Sequence, residues 1–232
     1  MRPADVTRRA LRVVAATRRR ARTAVGRGER PAPVLAWRTQ RSAPGGTILA
    51  GDSLASRFPR DLLHDVAPDV LVRGWPGERT SGLASRVDEL LERHPAVVVL
   101  QTGTNDLLRG STDADVHRAH SALLDACART APHVRLVVMA LPPITSRRAD
   151  PGAVARVNAL LREAARARGH AFVDTHAPLS SARGTPRPGT TTDGVHLSRE
   201  GYRCVAEHLS ATLREPGPPT ERMAPPQPHA VS

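Results

Sequence analysis

Five short apolar runs are spread along the chain at 47–50, 69–73, 96–100, 134–140 and 171–174, and none alternates strictly between apolar and polar residues. A strand with one wet face shows that alternation; a strand covered on both faces does not. Between the runs, apolar residues recur at helical spacing. Leu54, Phe58 and Leu62 form one such set, and Leu83, Val87, Leu90 and Leu91 form a second that stops at His94-Pro95. Val116, Leu123, Leu124 and Cys127 follow, then Val154, Val157, Leu161 and Ala164, and finally Tyr202, Val205, Leu209 and Leu213. Strands that alternate with helices predict a five-stranded parallel sheet with helices on both faces, a three-layer α/β/α sandwich. Ligands in such sheets bind beyond the carboxyl ends of the strands, where the strand order reverses.

The pattern sets the expected boundaries. Residues 46–214 hold the periodic segments and suffice for a sizeable core. Residues 1–45 read as a basic N-terminal segment and linker, with Pro31, Pro33, Pro44, Gly45 and Gly46 near its end. Residues 215–232 carry six prolines without periodicity and read as a flexible tail.

Charge follows the same division. The whole chain carries +12, but residues 1–41 hold twelve arginines against Asp5 and Glu29, a net of +10, which leaves +2 for the rest. The body is nearly neutral, so basicity belongs to the N-terminal segment. Residues 5–25 could form a thin amphipathic helix on an anionic membrane surface, or remain a solvated basic tail; the lack of Leu, Phe or Trp anchors on its stripe favours the tail. All 34 basic residues are arginine, which beside abundant alanine reads as the codon bias of a GC-rich genome, so single arginines carry little weight. Aromatics make up 2 %, too few for a base-stacking nucleic-acid platform. Cys127 and Cys204 have no metal-ligand or disulfide spacing and read as small core residues. No run approaches a membrane span, and the N-terminus lacks the pattern of a secretory signal, so a cytoplasmic location is the default expectation.

Four of the predicted loops gather at one end of the sheet. Gly51-Asp52-Ser53-Leu54 follows the first strand and Arg73-Gly74-Trp75-Pro76-Gly77-Glu78 the second. Gly103-Thr104-Asn105-Asp106 follows the third, and Asp193-Gly194-Val195-His196 precedes the last helix. Each has a plain structural explanation. A serine at a helix start commonly caps it, Gly-Thr-Asn-Asp suits a turn, and a lone histidine is usually structural. Together they supply a hydroxyl, a base, a carboxylate to orient the base, and N–H donors for an oxyanion, which are the needs of Ser–His–Asp acyl transfer.

The blocks GDSL at 51–54, WPGE at 75–78, GTND at 103–106 and DGVHLS at 193–198 resemble, in order, those of the SGNH/GDSL hydrolases. The resemblance spans residues 46 to about 213. It implies a flavodoxin-like fold and serine esterase chemistry on a small-molecule ester, without metal or cofactor. By motif, Ser53 corresponds to the nucleophile, His196 to the base and Asp193 to its orienting acid. Ser53, Gly77 and Asn105 correspond to the oxyanion donors, with Gly74 a weaker alternative for Gly77. The second block departs from many relatives: Val72 occupies an asparagine position, Glu78 stands for aspartate, and Pro76 precedes the glycine. The same triad could also pass the acyl group to an alcohol other than water.

Substrate choice would rest on loops 107–114, 141–152 and 175–192. His117-x-x-His120 offers a metal-like spacing on a helix, set against the plainer expectation of a solvated helix face.

Overall fold

The computed structural model describes residues 45–147 and 150–215. The expected N-terminal segment, nearly all of its linker and the C-terminal tail past Glu215 lie outside the described residues. Five strands form one parallel sheet: β1 (Thr47–Gly51), β2 (Leu71–Gly74), β3 (Val97–Gln101), β4 (Arg135–Met139) and β5 (Ala171–Val173). Their order is β2-β1-β3-β4-β5, the flavodoxin-like winding, and it reverses direction beside β1.

The helices are α1 (Ser53–Ser56), α2 (Arg60–Val66), α3 (Thr80–Ala84), α4 (Val87–Leu91), α5 (Thr104–Leu108), α6 (Asp113–Thr130), α7 (Pro151–Ala167) and α8 (Arg199–Arg214). Two helical sets from the sequence are each split in two. Leu54, Phe58 and Leu62 do share one face, but Pro59 has no N–H to extend α1 and instead opens α2. The 83–91 set divides between α3 and α4 at Ser85, whose hydroxyl donates to the Gly82 carbonyl and competes with continued helix.

Side chains alternate between two cores. Ile48, Ala50, Val98, Leu100, Leu136 and Val138 face α3, α4, α6 and α7. Leu49, Val99, Val137, Met139 and Val173 face α1, α2 and α8. Both faces are buried, which is why the strands read as continuous apolar runs. Cys127 is buried in the first core, and Cys204 packs at the edge of the second; both are free thiols.

His120 corrects an expectation. It is not on a solvated face but buried in α6, its Nδ1 3.1 Å from the Val116 carbonyl and its ring under Gly103. Burial holds the imidazole below its ordinary pKa despite those carbonyl contacts. Among the described residues, no three His, Cys, Asp or Glu side chains are arranged to hold a metal ion, and no helix is long and apolar enough to cross a membrane.

Candidate active site

Parallel winding brings the ends of β1, β2 and β3 together beside the loop that precedes α8. At the end of β1, Gly51 is required by crowding: a Cβ there would lie 1.9 Å from the Gln101 carbonyl oxygen. The chain then turns into α1, and Asp52, not Ser53, caps that helix, accepting the Leu54 N–H at 2.8 Å. Ser53 is thereby free of a capping role. Its Oγ stands 3.1 Å from His196 Nε2.

The histidine is held by its own loop. Asp193 Oδ1 accepts the backbone N–H groups of Val195 and His196 at 3.0 and 2.7 Å, and Oδ2 lies 2.7 Å from His196 Nδ1. Gly194 makes the turn at φ +83, with its missing Cβ pressed toward the Thr145 carbonyl. An ionised carboxylate can only accept, so Nδ1 carries the proton and Nε2 presents its lone pair to the Ser53 hydroxyl. Partial burial works against ionisation of Asp193, but the hydrogen bonds from the His196 ring and from two backbone N–H groups outweigh it and hold the carboxyl below its ordinary range.

The donors lie on the neighbouring loops. Asn105 Nδ2 donates to Asp52 Oδ2 at 3.1 Å and to the Glu78 carbonyl at 3.0 Å. One amide thus ties the Ser53 turn to the Gly77-Glu78 turn. Gly77 sits at φ +81, and its carbonyl accepts from Arg109 Nη2 at 2.8 Å. Among the described residues, the N–H groups of Ser53 and Gly77 have no protein acceptor. Gly74, the alternative donor, has a packing duty: its Cβ would lie 2.5 Å from Ser56 N.

The Pro76-Gly77-Glu78 departure is accommodated locally. Glu78 pairs with Arg86 at 3.3 Å, and the next turn is pinned by buried Asp106, which accepts from Thr80 N and Thr80 Oγ1 at 2.9 and 3.0 Å. Val72 lies on β2, in register with Leu49, where it is half-buried against the α8-side core.

Sequence reasoning missed Asp52 and Asp106. The available signal was placement: a carboxylate between an apolar strand and an apolar helix must find buried donors. A small pocket is lined by Leu54, Phe58, Met139, Pro142, Leu197 and Tyr202.

The fold is a flavodoxin-like α/β/α sandwich, and Ser53, His196 and Asp193 lie together at the carboxyl edge of its sheet. The chain belongs to the GDSL-like Lipase/Acylhydrolase family, whose model matches residues 8–204. It is a hydrolase enzyme of that GDSL type. Its fold is similar to that of a GDSL-like lipase from Bacteroides thetaiotaomicron, at 20 % identity and TM-score 0.64, covering 71 % of this chain and 85 % of that one. A carbohydrate esterase family 3 protein from Talaromyces cellulolyticus is similar at 17 % identity and TM-score 0.61, with coverage of 73 % and 96 %. An acetyl-xylooligosaccharide esterase from Geobacillus is similar at 20 % identity and TM-score 0.61, with coverage of 75 % and 96 %. No curated protein gives a significant match.

Proposed function

We propose that this protein hydrolyses carboxylic esters by acyl transfer through Ser53, with His196 as general base and Asp193 orienting it. The observation that carries the reading is the continuous line of contacts from Ser53 Oγ to His196 Nε2 at 3.1 Å and from His196 Nδ1 to Asp193 at 2.7 Å. His196 takes the hydroxyl proton as Oγ attacks the ester carbonyl, and the carbonyl oxygen becomes an oxyanion. Asp193 stabilises the imidazolium that forms. The N–H groups of Ser53 and Gly77 receive the oxyanion, and the Asn105 amide joins them by sharing one of the two hydrogens it gives to Asp52 and the Glu78 carbonyl. Collapse expels the alcohol, protonated by His196. Water then enters by the same route, and His196 returns its proton to Ser53 as the acid leaves.

The carbohydrate esterase and the acetyl-xylooligosaccharide esterase that share the fold make acetylated sugars natural first substrates, beside simple aryl esters of increasing acyl length. The test is hydrolysis of both series by the wild type, Ser53→Ala and His196→Ala. Activity in the wild type that falls at least about 10³-fold in both variants is expected. Activity that survives Ser53→Ala would contradict the assignment.

A further inference from the structure

We propose that Asp52 is a positioning residue for the oxyanion site, its single carboxylate fixing the turn that carries Ser53 and the amide of Asn105 relative to each other. The inference rests on the esterase reading above. Asp52 is 1 % exposed, and among the described residues its side-chain hydrogen bonds go to Leu54 and Asn105 rather than to Ser53 Oγ or His196. Its two oxygens have separate partners: Oδ1 accepts the Leu54 N–H, and Oδ2 accepts the Asn105 amide. The second amide hydrogen of Asn105 goes to the Glu78 carbonyl. Two acceptors therefore fix the plane of the Asn105 amide, one from each of the turns that bear Ser53 and Gly77.

The arrangement needs a carboxylate. A side-chain amide at 52 has one acceptor and one donor group, so either the Leu54 N–H or the Asn105 amide would face another N–H. Protonation of Asp52 has a similar effect, because an O–H replaces one of the two acceptors. Burial pushes the Asp52 carboxyl up to about 7, the Leu54 N–H pulls it down, repulsion by Asp106 raises it again, and the Asn105 amide lowers it. The ionisable groups around it are Asp106 on α5, itself tied to Thr80 and Arg79, and the Tyr202 phenol on α8. His196 lies across Ser53. The ionised form, with both acceptors, is the working form.

Two measurements test this. In the first, Asp52→Asn is compared with the wild type, with Asn105→Ala and with the double variant. The inference expects kcat to fall at least about tenfold in Asp52→Asn, with KM within about twofold. Adding Asp52→Asn to Asn105→Ala should slow the enzyme no more than about twofold further. On the acid side, the rate should fall with the uptake of two protons in the wild type and of one in Asp52→Asn, a difference that simple loss of packing would not produce. Wild-type kcat with an unchanged acid limb would overturn it.

The second measurement follows the side-chain amide resonances of Asn105 by NMR from pH 5 to 9 in the wild type and in Ser53→Ala. Both proteins should show a titration near neutrality that Asp52→Asn lacks; resonances that are flat, or that titrate equally in Asp52→Asn, would overturn the inference. Since this readout needs no turnover, it decides the Asp52–Asn105 link even if esterase activity survives Ser53→Ala and the function reading falls.

Discussion

The phenol of Tyr202 donates a hydrogen bond to the carbonyl oxygen of Leu54, 2.9 Å away and 148 positions earlier in the chain. The last helix thereby holds the residue next to Ser53, and the tilted contact between Phe58 and Tyr202, with centroids 4.8 Å apart, braces the same turn. Tyr202→Phe keeps the ring and removes the donor. It should destabilise the protein by about 1–2 kcal/mol, since it leaves a buried carbonyl short of a partner. Urea denaturation with an unchanged slope checks this.

The two glycines of the second loop should fail differently. Gly74→Ala drives a Cβ to within 2.5 Å of Ser56 N, where only backbone movement relieves it. The expected cost is about 1–3 kcal/mol of stability. At Gly77 the nearest atom to an added Cβ is Arg109 Nη2 at 3.6 Å, so space is available and the cost is the φ of +81. That strain is roughly 1–2 kcal/mol. Gly77→Ala should therefore remain folded and lose turnover as its N–H shifts. Thermal melting beside steady-state kinetics separates the two.

Asn105→Ala removes an oxyanion donor and the strap between two loops. Turnover should fall about 100- to 1000-fold. An unchanged kcat would exclude Asn105 from oxyanion binding.

Asp193→Asn should leave the loop bent, since an amide oxygen can still accept the N–H groups of Val195 and His196. The second oxygen, which fixes the proton on His196 Nδ1, is lost. A fall in kcat of about 10⁴-fold is expected, with the melting temperature little changed.

The pH dependence of stability should carry the mark of Asp52. Its carboxyl is raised in the folded state, from 3.8 to about 7. Between those values the unfolded chain has released a proton that the folded protein keeps, so stability falls as pH rises from about 4 to 7. Asp193 works in the opposite sense: its carboxyl is depressed, so its contribution is present above the ordinary carboxylate range and is lost as pH falls below it. Chemical denaturation of the wild type and Asp52→Asn across pH 4–8 isolates the first effect as a narrowing stability difference.

The strands were legible because burial on both faces leaves continuous apolar runs, and each falls within about two residues of its expected span. The four loops could be placed because Ser53, Gly77 and Asn105 sit in short motifs after the first three strands, and Asp193 and His196 in one before the last helix. Helix breaks at Pro59 and Ser85 were missed where apolar spacing continued across them. His120 was misread because helical spacing gives a face but not what covers it, and here Gly103 leaves room for the imidazole. Asp52 was hidden behind its neighbour. A motif marks the serine, whereas only coordinates show that the preceding carboxylate caps the helix and holds Asn105.

An activated Ser53 is what acyl transfer at this site requires first. Reaction of the purified, folded protein with a fluorophosphonate at neutral pH, with the adduct located by mass spectrometry, tests it. The expected result is a single adduct on Ser53, absent from Ser53→Ala and much slower to form in His196→Ala. A protein shown to be folded that gives no adduct, or one that labels equally well without Ser53, would contradict the account.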